Sequence, residues 1–211
     1  MAKKKASGVT EIIIVLDRSG SMGGIRLDTI EGFNKFLEDQ RKLGINGRMT
    51  LAQFDDNYQL DYEGVDINDV KYLDEYTYEP RGMTALFDAV GKTINDTKKR
   101  LKTNPVDNVV FVVITDGHEN ASQEFNQESA FKMITECKDD NGWEFVFLGA
   151  NQDAIQSGGH IGVRAATSAT FDTSNIRTAY DSLSSNVRSY RSTGVSGSLD
   201  WSQAQRKSLV E

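Results

Sequence analysis

The sequence of 211 residues contains one cysteine, Cys137, and two histidines, His118 and His160. A single cysteine excludes an intrachain disulfide, and a chain of this length can bury a full core without one. A lone thiol in a helical pattern is typically a small buried apolar residue, and we predict this role for Cys137. Histidine is also scarce. His160 follows Gly158-Gly159 in a predicted turn, so His118 is the only base near the candidate site described below.

Long apolar runs are absent from the sequence. No stretch reaches the roughly 20 residues that a helix needs to cross a bilayer. The apolar run Ile12–Leu16 is too short for a secretion signal, and it ends at Asp17. We therefore expect a cytoplasmic location and no membrane partner.

Positive charge is also in deficit, since 24 lysines and arginines oppose 31 aspartates and glutamates, for a net charge of -7. Such a chain is generally repelled by nucleic acid and by anionic lipid, and we expect no nucleic-acid partner. The basic cluster Lys3-Lys4-Lys5 is the exception. We interpret residues 1–8 as a disordered basic tail, because chain termini are usually loose.

Short apolar runs alternate with amphipathic helical patterns along the rest of the chain. This alternation predicts a doubly wound α/β fold with a mostly parallel central sheet and helices on both faces. Two short strands around Asp55-Asp56-Asn57 predict a hairpin that adds one antiparallel edge strand. The predicted strands are 11–17, 49–54, 58–62, 108–115, 143–148 and 163–171, and the predicted helices are 25–43, 84–101, 128–138, 153–158 and 176–190.

These elements define one domain over residues 9–191. The Ser- and Gly-rich residues 192–211 predict a flexible C-terminal tail. The acidic, tyrosine-rich segment 66–80 predicts a loop that contains one helical turn.

Oxygen-bearing side chains follow two of the predicted strands. Asp17, Ser19 and Ser21 form a D-x-S-x-S turn after the first strand, and Asp116 ends the strand 108–115. Thr84 precedes the second long helix. Ligands of open α/β sheets bind beyond the carboxyl ends of the strands, so these five side chains are expected to meet there. Carboxylates and hydroxyls suit Mg2+, Mn2+ or Ca2+ and not zinc, which favours nitrogen and sulfur.

The same five residues resemble the metal-ion-dependent adhesion site, or MIDAS, of von Willebrand factor type A (VWA) domains. That family pairs D-x-S-x-S with a later Thr and a later Asp, in the order found here. The resemblance covers roughly residues 9–190, and it implies a Rossmann-like VWA fold. It also implies that Ser19 and Ser21 bind the ion directly, that Thr84 does so directly or through water, and that Asp17 and Asp116 often act through water.

Simpler explanations exist for these residues taken one by one. An Asp or Ser after a strand also caps helices and forms turns, so Ser19 and Ser21 alone predict caps. Other site types fail on the sequence. Gly91-Lys92-Thr93 lies inside a predicted helix and lacks the first glycine of a P-loop. Ser19 stands where a haloacid dehalogenase-type phosphatase needs a second aspartate, and it lacks the G-x-S-x-G elbow of hydrolases.

Three functions remain open at this point. The first is a non-enzymatic module that binds a partner protein when an Asp or Glu of that partner completes the coordination of the metal. The second is a metal-assisted hydrolase with His118 as its base. The third, implied by bacterial VWA proteins, is an accessory subunit of an AAA-type ATPase. The size and the lack of a signal resemble intracellular members from bacteria or phages.

Overall fold

A computed structural model describes residues 8–151 and 153–211. The basic cluster Lys3-Lys4-Lys5 and the tail predicted around it lie outside the described residues, apart from Gly8.

Six strands form a single sheet in the order β3-β2-β1-β4-β5-β6. Neighbouring strands are parallel except for β2 and β3, which pair in an antiparallel hairpin. The predicted fold class is therefore confirmed, including its antiparallel edge strand. The strands span β1 Thr10–Asp17, β2 Gly47–Phe54, β3 Tyr58–Asp66, β4 Asn108–Thr115, β5 Glu144–Ala150 and β6 Ser168–Phe171.

Within the described residues, six helices accompany the sheet: α1 Arg26–Lys42, α2 Leu86–Leu101, α3 Gln127–Asn141, α4 Ala154–His160, α5 Ile176–Thr193 and α6 Gln203–Ser208. Every residue of β1 is buried, and its side chains alternate between two cores. Ile12 and Ile14 face the core that α1 and α5 complete, whereas Ile13 and Val15 face the core that α2 and α3 complete. Two separate cores follow from helices that cover both faces of the sheet. Cys137 is buried in the second core, as predicted.

Several boundaries differ from the predicted ones. Residues Gly20–Ile25 form a 3-10 segment ahead of α1, and β3 continues to Asp66 with irregular register against β2. The last strand was predicted from residue 163 but begins at Ser168, because residues Ala165–Thr167 form a short 3-10 turn. Burial of Val163 without strand pairing explains the overestimate.

The C-terminal residues differ from the predicted loose tail. Helix α5 continues to Thr193, a 3-10 segment follows at Ser196–Leu199, and α6 comes next. Three apolar side chains hold this segment against the core, because Leu199, Trp201 and Leu209 are all buried. The tail prediction for 192–211 is corrected accordingly: a few large apolar residues anchor a segment whose average composition is polar.

Residues 67–85 cross from the edge strand β3 to α2 without helix or strand. Four buried side chains hold this crossing against the core, Ile67, Val70, Leu73 and Tyr78. The crossing therefore has a fixed course, and it delivers Thr84 to the end of the sheet where β1 finishes. No helix in the described ranges is long and apolar enough to cross a membrane.

Candidate metal centre

The five predicted ligands lie around the carboxyl ends of β1 and β4. These strands are parallel neighbours, with Leu16 beside Ile114 in the register, so Asp17 and Asp116 emerge at the same edge of the sheet. The chain order reverses here, since β2 lies on one side of β1 and β4 on the other. Such a reversal opens the crevice in which doubly wound sheets bind ligands.

Asp17 is fully buried, and both of its carboxylate oxygens accept hydrogen bonds. Oδ1 accepts from the backbone N–H of Ser19 at 2.6 Å, and Oδ2 accepts from the hydroxyl of Thr115 at 2.6 Å. The carbonyl oxygen of Asp17 accepts from the hydroxyl of Tyr78 at 2.7 Å. The first two bonds fix the carboxylate, and the third fixes the backbone of Asp17 at the start of the loop.

A chain of hydroxyl groups connects the loops after β1 and β4. Ser21 donates to Asp116 Oδ1 at 2.6 Å, and the Ser19 and Ser21 oxygens are 3.1 Å apart. A hydroxyl has a single proton, and that of Ser21 is used on Asp116, so Ser19 donates to Ser21. The structure also bears on the interpretation of Ser19 as a helix cap. It occupies the N-cap position of the 3-10 segment, yet its side chain makes no capping hydrogen bond among the described residues.

Thr84, the remaining predicted ligand, is buried. A side chain added to Gly117 would lie 2.8 Å from Thr84 Oγ1 and 3.6 Å from Asp17 Oδ2. Thr84 and Asp17 therefore line the same small space, which only a glycine leaves open. Reciprocal bonds fix the backbone of Thr84, because its N–H donates to Asn120 Oδ1 at 2.9 Å and its carbonyl accepts from the N–H of Asn120 at 3.0 Å.

The two carboxyl groups titrate at higher pH than usual. The pKa of Asp17 is raised to about 6, chiefly by burial and to a smaller extent by the charge of Asp116, while the hydrogen bonds from Thr115 and Ser19 act in the lowering direction. Burial also raises the pKa of Asp116, although the bond from Ser21 lowers it. Both carboxylates are thus held in surroundings that penalise their negative charge, a penalty that a nearby cation would relieve.

The donor set fits a hard divalent cation. It consists of two carboxylates and three hydroxyls, all of which lie at one edge of the sheet and offer oxygen. No group of three or more His, Cys, Asp or Glu side chains suited to a metal occurs within residues 8–151 and 153–211. The candidate site contains only two such side chains, Asp17 and Asp116, and its other three donors are hydroxyls.

Four supporting residues were not predicted from the sequence. Thr115 and Tyr78 hold Asp17, Asn120 holds Thr84, and Asp55 is buried behind the loops. Thr115 carried a usable signal, because a hydroxyl residue ends an otherwise apolar strand. Tyr78 lies in the segment 66–80, which was predicted only as a loop with one helical turn. Asp55 was predicted only as part of a hairpin turn.

The comparison with known families follows from this geometry. The von Willebrand factor type A domain matches residues 11–192, and the chain therefore belongs to this family. No curated protein sequence matches the chain.

Solved structures share the fold. Proximal thread matrix protein 1 from the mussel byssus has a TM-score of 0.61 and 17% sequence identity, over 82% of this chain and 46% of that one. The same protein with a zinc occupied MIDAS motif gives a TM-score of 0.61 and 16% identity, over 83% and 47%. The pilus adhesin SpaC from Lactobacillus rhamnosus GG gives 0.64 and 13%, over 88% and 31%. The chain thus spans less than half of the length of these proteins.

Proposed function

We propose that this VWA domain binds one divalent cation through Asp17, Ser19, Ser21, Thr84 and Asp116, and that the bound cation recruits a partner protein. The observation that carries the proposal is the hydrogen-bonded series from Ser19 through Ser21 to Asp116. It brings donors from the loop after β1 and the loop after β4 to one point, at the place where the strand order of the sheet reverses. Hydrogen bonds that orient a ligand in advance are a usual requirement of metal sites.

The charges of the donors favour an external ligand. Three of the five donors are neutral hydroxyls, and two are carboxylates. A divalent ion held mainly by neutral oxygens keeps positive charge, and it would supply a Lewis-acidic position for an outside anion. An Asp or Glu carboxylate is the hard anionic oxygen that a partner protein can offer. The chain's own net charge of -7 repels acidic partners at long range, so their attraction must be local.

Mg2+ is the cation that we propose, with Mn2+ or Ca2+ as substitutes, because all the donors are oxygen. The mussel byssus protein is described with zinc in its MIDAS motif. Zinc therefore belongs in any binding test of this chain, beside Mg2+ and Mn2+.

A metal-assisted hydrolase is the second candidate, because one specific observation favours it. Exposed His118 lines a cavity of about 310 Å³ together with Gly117, next to Asp116. His160 lines the same cavity. We favour binding over hydrolysis because general-base catalysis needs a base that is oriented toward its water, and an exposed loop histidine meets this need poorly.

The test selects peptide ligands from a random library on immobilised protein in Mg2+, and repeats the selection in EDTA. We expect the Mg2+ selection to enrich peptides that contain an Asp or Glu, whose replacement by Asn or Gln abolishes binding. Thr84→Ala is expected to weaken capture of these peptides more than it weakens metal binding. Peptides that bind equally in EDTA, or equally after the acid is replaced, would refute the proposal. Ester or phosphoester turnover lost in both Asp17→Ala and His118→Ala would favour the hydrolase.

A further inference from the structure

A buried carboxylate lies behind the candidate metal centre, at the carboxyl end of β2. Asp55 has no exposed surface. Its Oδ2 accepts hydrogen bonds from Arg18 Nε at 3.0 Å and from Arg81 Nε at 3.1 Å. Arg18 is 4% exposed, whereas the side chain of Arg81 is 56% exposed. One carboxylate oxygen thus joins arginines from two different segments of the chain.

Those two segments are the ones that carry four of the five proposed ligands. Arg18 stands between Asp17 and Ser19, inside the D-x-S-x-S turn, and Arg81 precedes Thr84 by three residues. Each ion pair therefore joins Asp55 to an arginine close to proposed ligands. Arg18 is adjacent to ligands of the first segment, and Arg81 is three residues from Thr84.

Backbone hydrogen bonds join the same parts of the chain as the ion pairs. Arg81 donates its N–H to the carbonyl of Arg18 at 2.8 Å, and Gly20 donates to the carbonyl of Gly82 at 3.1 Å. Ala85 donates to the carbonyl of Asp55 at 2.9 Å. The first two bonds connect the turn after β1 with the crossing before α2, and the third connects the crossing with Asp55 itself.

The remaining atoms around this cluster are also satisfied. Asp55 Oδ1 accepts from the N–H of Asn57 at 2.6 Å, and Arg18 donates to Gln59 Oε1 at 2.6 Å. The carboxylate therefore has a single orientation. Buried ion pairs contribute little net stability, because desolvation offsets their attraction, and they are best explained by the particular arrangement that they impose.

We propose that Asp55 is a positioning residue of the metal centre: its carboxylate sets the distance between the Ser19–Ser21 turn and Thr84. This inference rests on the proposed metal site. It predicts that loss of the Asp55 charge separates the two segments while the sheet and both cores stay intact.

The chain offers a matched control at the other end of the sheet. Glu11, at the start of β1, is equally buried and pairs with Arg100, and it also accepts from the hydroxyl of Thr50 at 2.6 Å. Glu11→Gln removes a buried acid paired with an arginine, as Asp55→Asn does. It differs in its place, because Glu11 begins the strand that ends at Asp17.

The experiment compares native protein, Asp55→Asn and Glu11→Gln by two measurements. The first is hydrogen exchange of the metal-free proteins at Gly20 and Arg81, whose N–H groups donate between the two segments, and at Ala85, whose N–H donates to the carbonyl of Asp55. The second is calorimetric titration with Mn2+. We expect Asp55→Asn to speed exchange at these amides by at least about tenfold and to lower Mn2+ affinity about 10- to 100-fold, as loss of an orienting partner does at metal sites. Glu11→Gln should change neither.

The outcomes separate this inference from the proposed function. If native protein fails to bind Mn2+, the metal site is wrong, and the exchange data still decide whether Asp55 joins the two segments. If native protein binds Mn2+ and Asp55→Asn binds it equally well, Asp55 is not a positioning residue. Equal losses in Asp55→Asn and Glu11→Gln would also overturn the inference, since they would reflect general stability. Should Asp55→Asn fail to fold, Arg81→Gln keeps the Arg18 pair and should still weaken Mn2+ binding several-fold; unchanged binding there contradicts the inference.

Discussion

Ser21 and Asp116 lie 95 positions apart in the sequence, and a hydrogen bond of 2.6 Å joins the serine hydroxyl to Oδ1 of the aspartate. The proton of Ser21 points at the carboxylate and one lone pair of its oxygen accepts from Ser19, so the other lone pair remains available to a cation. Asp116 can thereby orient a ligand without touching the ion itself. A carboxylate that acts through a hydroxyl leaves the ion less neutralised than direct coordination would, which is the condition for recruiting an outside acid.

The first prediction concerns metal-dependent stability. Mg2+ or Mn2+ should raise the melting temperature of the native protein relative to EDTA, because a ligand that binds only the folded state stabilises it by about 2.7 kcal/mol at 100 times its Kd. Asp116→Ala should abolish this increase without loss of the fold, since Asp116 is half-buried beyond the end of β4. Thermal melts of both proteins in EDTA and in each metal provide the check. An equal metal-induced increase in Asp116→Ala would remove this residue from the site.

The second prediction concerns pH. Burial raises the folded-state pKa of Asp17 to about 6, above the value of about 3.9 in an unfolded chain. The stabilising contribution of the protonated form is fully present below about pH 4 and is lost as pH rises through 6, a change of roughly 3 kcal/mol at about 1.4 kcal/mol per pKa unit. Asp116 shifts in the same direction.

Chemical unfolding of the metal-free protein between pH 4 and 7.5 measures this effect, with Asp17→Asn as the control that lacks the titrating group. The stability of native protein minus that of Asp17→Asn should fall as pH rises. Mn2+ affinity of the native protein should rise over the same range, because the ion needs the ionised carboxylate. A stability difference that is constant with pH would mean that Asp17 titrates normally.

Much of this fold, and the placement of the candidate ligands at one end of the sheet, could be predicted from the sequence, for physical reasons that differ by element. Strand β4 was predicted with its observed limits, because an unbroken apolar run that stops at Asp116 has few alternatives in a buried parallel sheet. The D-x-S-x-S turn was recognisable because its ligands are adjacent in the sequence. Asp55 was not, because its partners Arg18 and Arg81 are distant in the sequence and the residues beside it favour a turn in any context.

The third prediction uses two glycines with the same backbone strain. Gly82 has φ of +67° and Gly44 has φ of +66°, a region in which a side chain costs about 1 kcal/mol or more. Gly82→Ala and Gly44→Ala should both lower the free energy of unfolding by this amount. Only Gly82→Ala should weaken Mn2+ binding, because relaxing its backbone displaces the carbonyl that accepts from Gly20.

The space around the two glycines also differs, which supports the expected difference in Mn2+ binding. A side chain on Gly82 would overlap Oδ1 of Asp56, and that exposed carboxylate can rotate away, whereas a side chain on Gly44 meets nothing within 4 Å. Calorimetric titration of both variants decides the matter. Equal Mn2+ affinities would show that the crossing before α2 tolerates movement without effect on the site.

The last prediction concerns the C-terminal segment. Trp201 is 5% exposed, its backbone N–H donates to the carbonyl of Ala166 at 2.9 Å, and its indole donates to the carbonyl of Thr167 at 3.2 Å. Both acceptors precede the edge strand β6, so the tryptophan secures the segment that covers this edge. Trp201→Ala should lower the free energy of unfolding by about 3–5 kcal/mol, as for other buried aromatic residues, while Val210→Ala, at a side chain 54% exposed, should change it little. Trp201 contacts residues before β6, whereas the loops that carry most of the candidate ligands follow β1 and β4. Mn2+ affinity of the folded variant should therefore equal that of the native protein. Urea unfolding combined with Mn2+ titration tests both parts, and a loss below about 1 kcal/mol would restore the view that this segment is a loose tail.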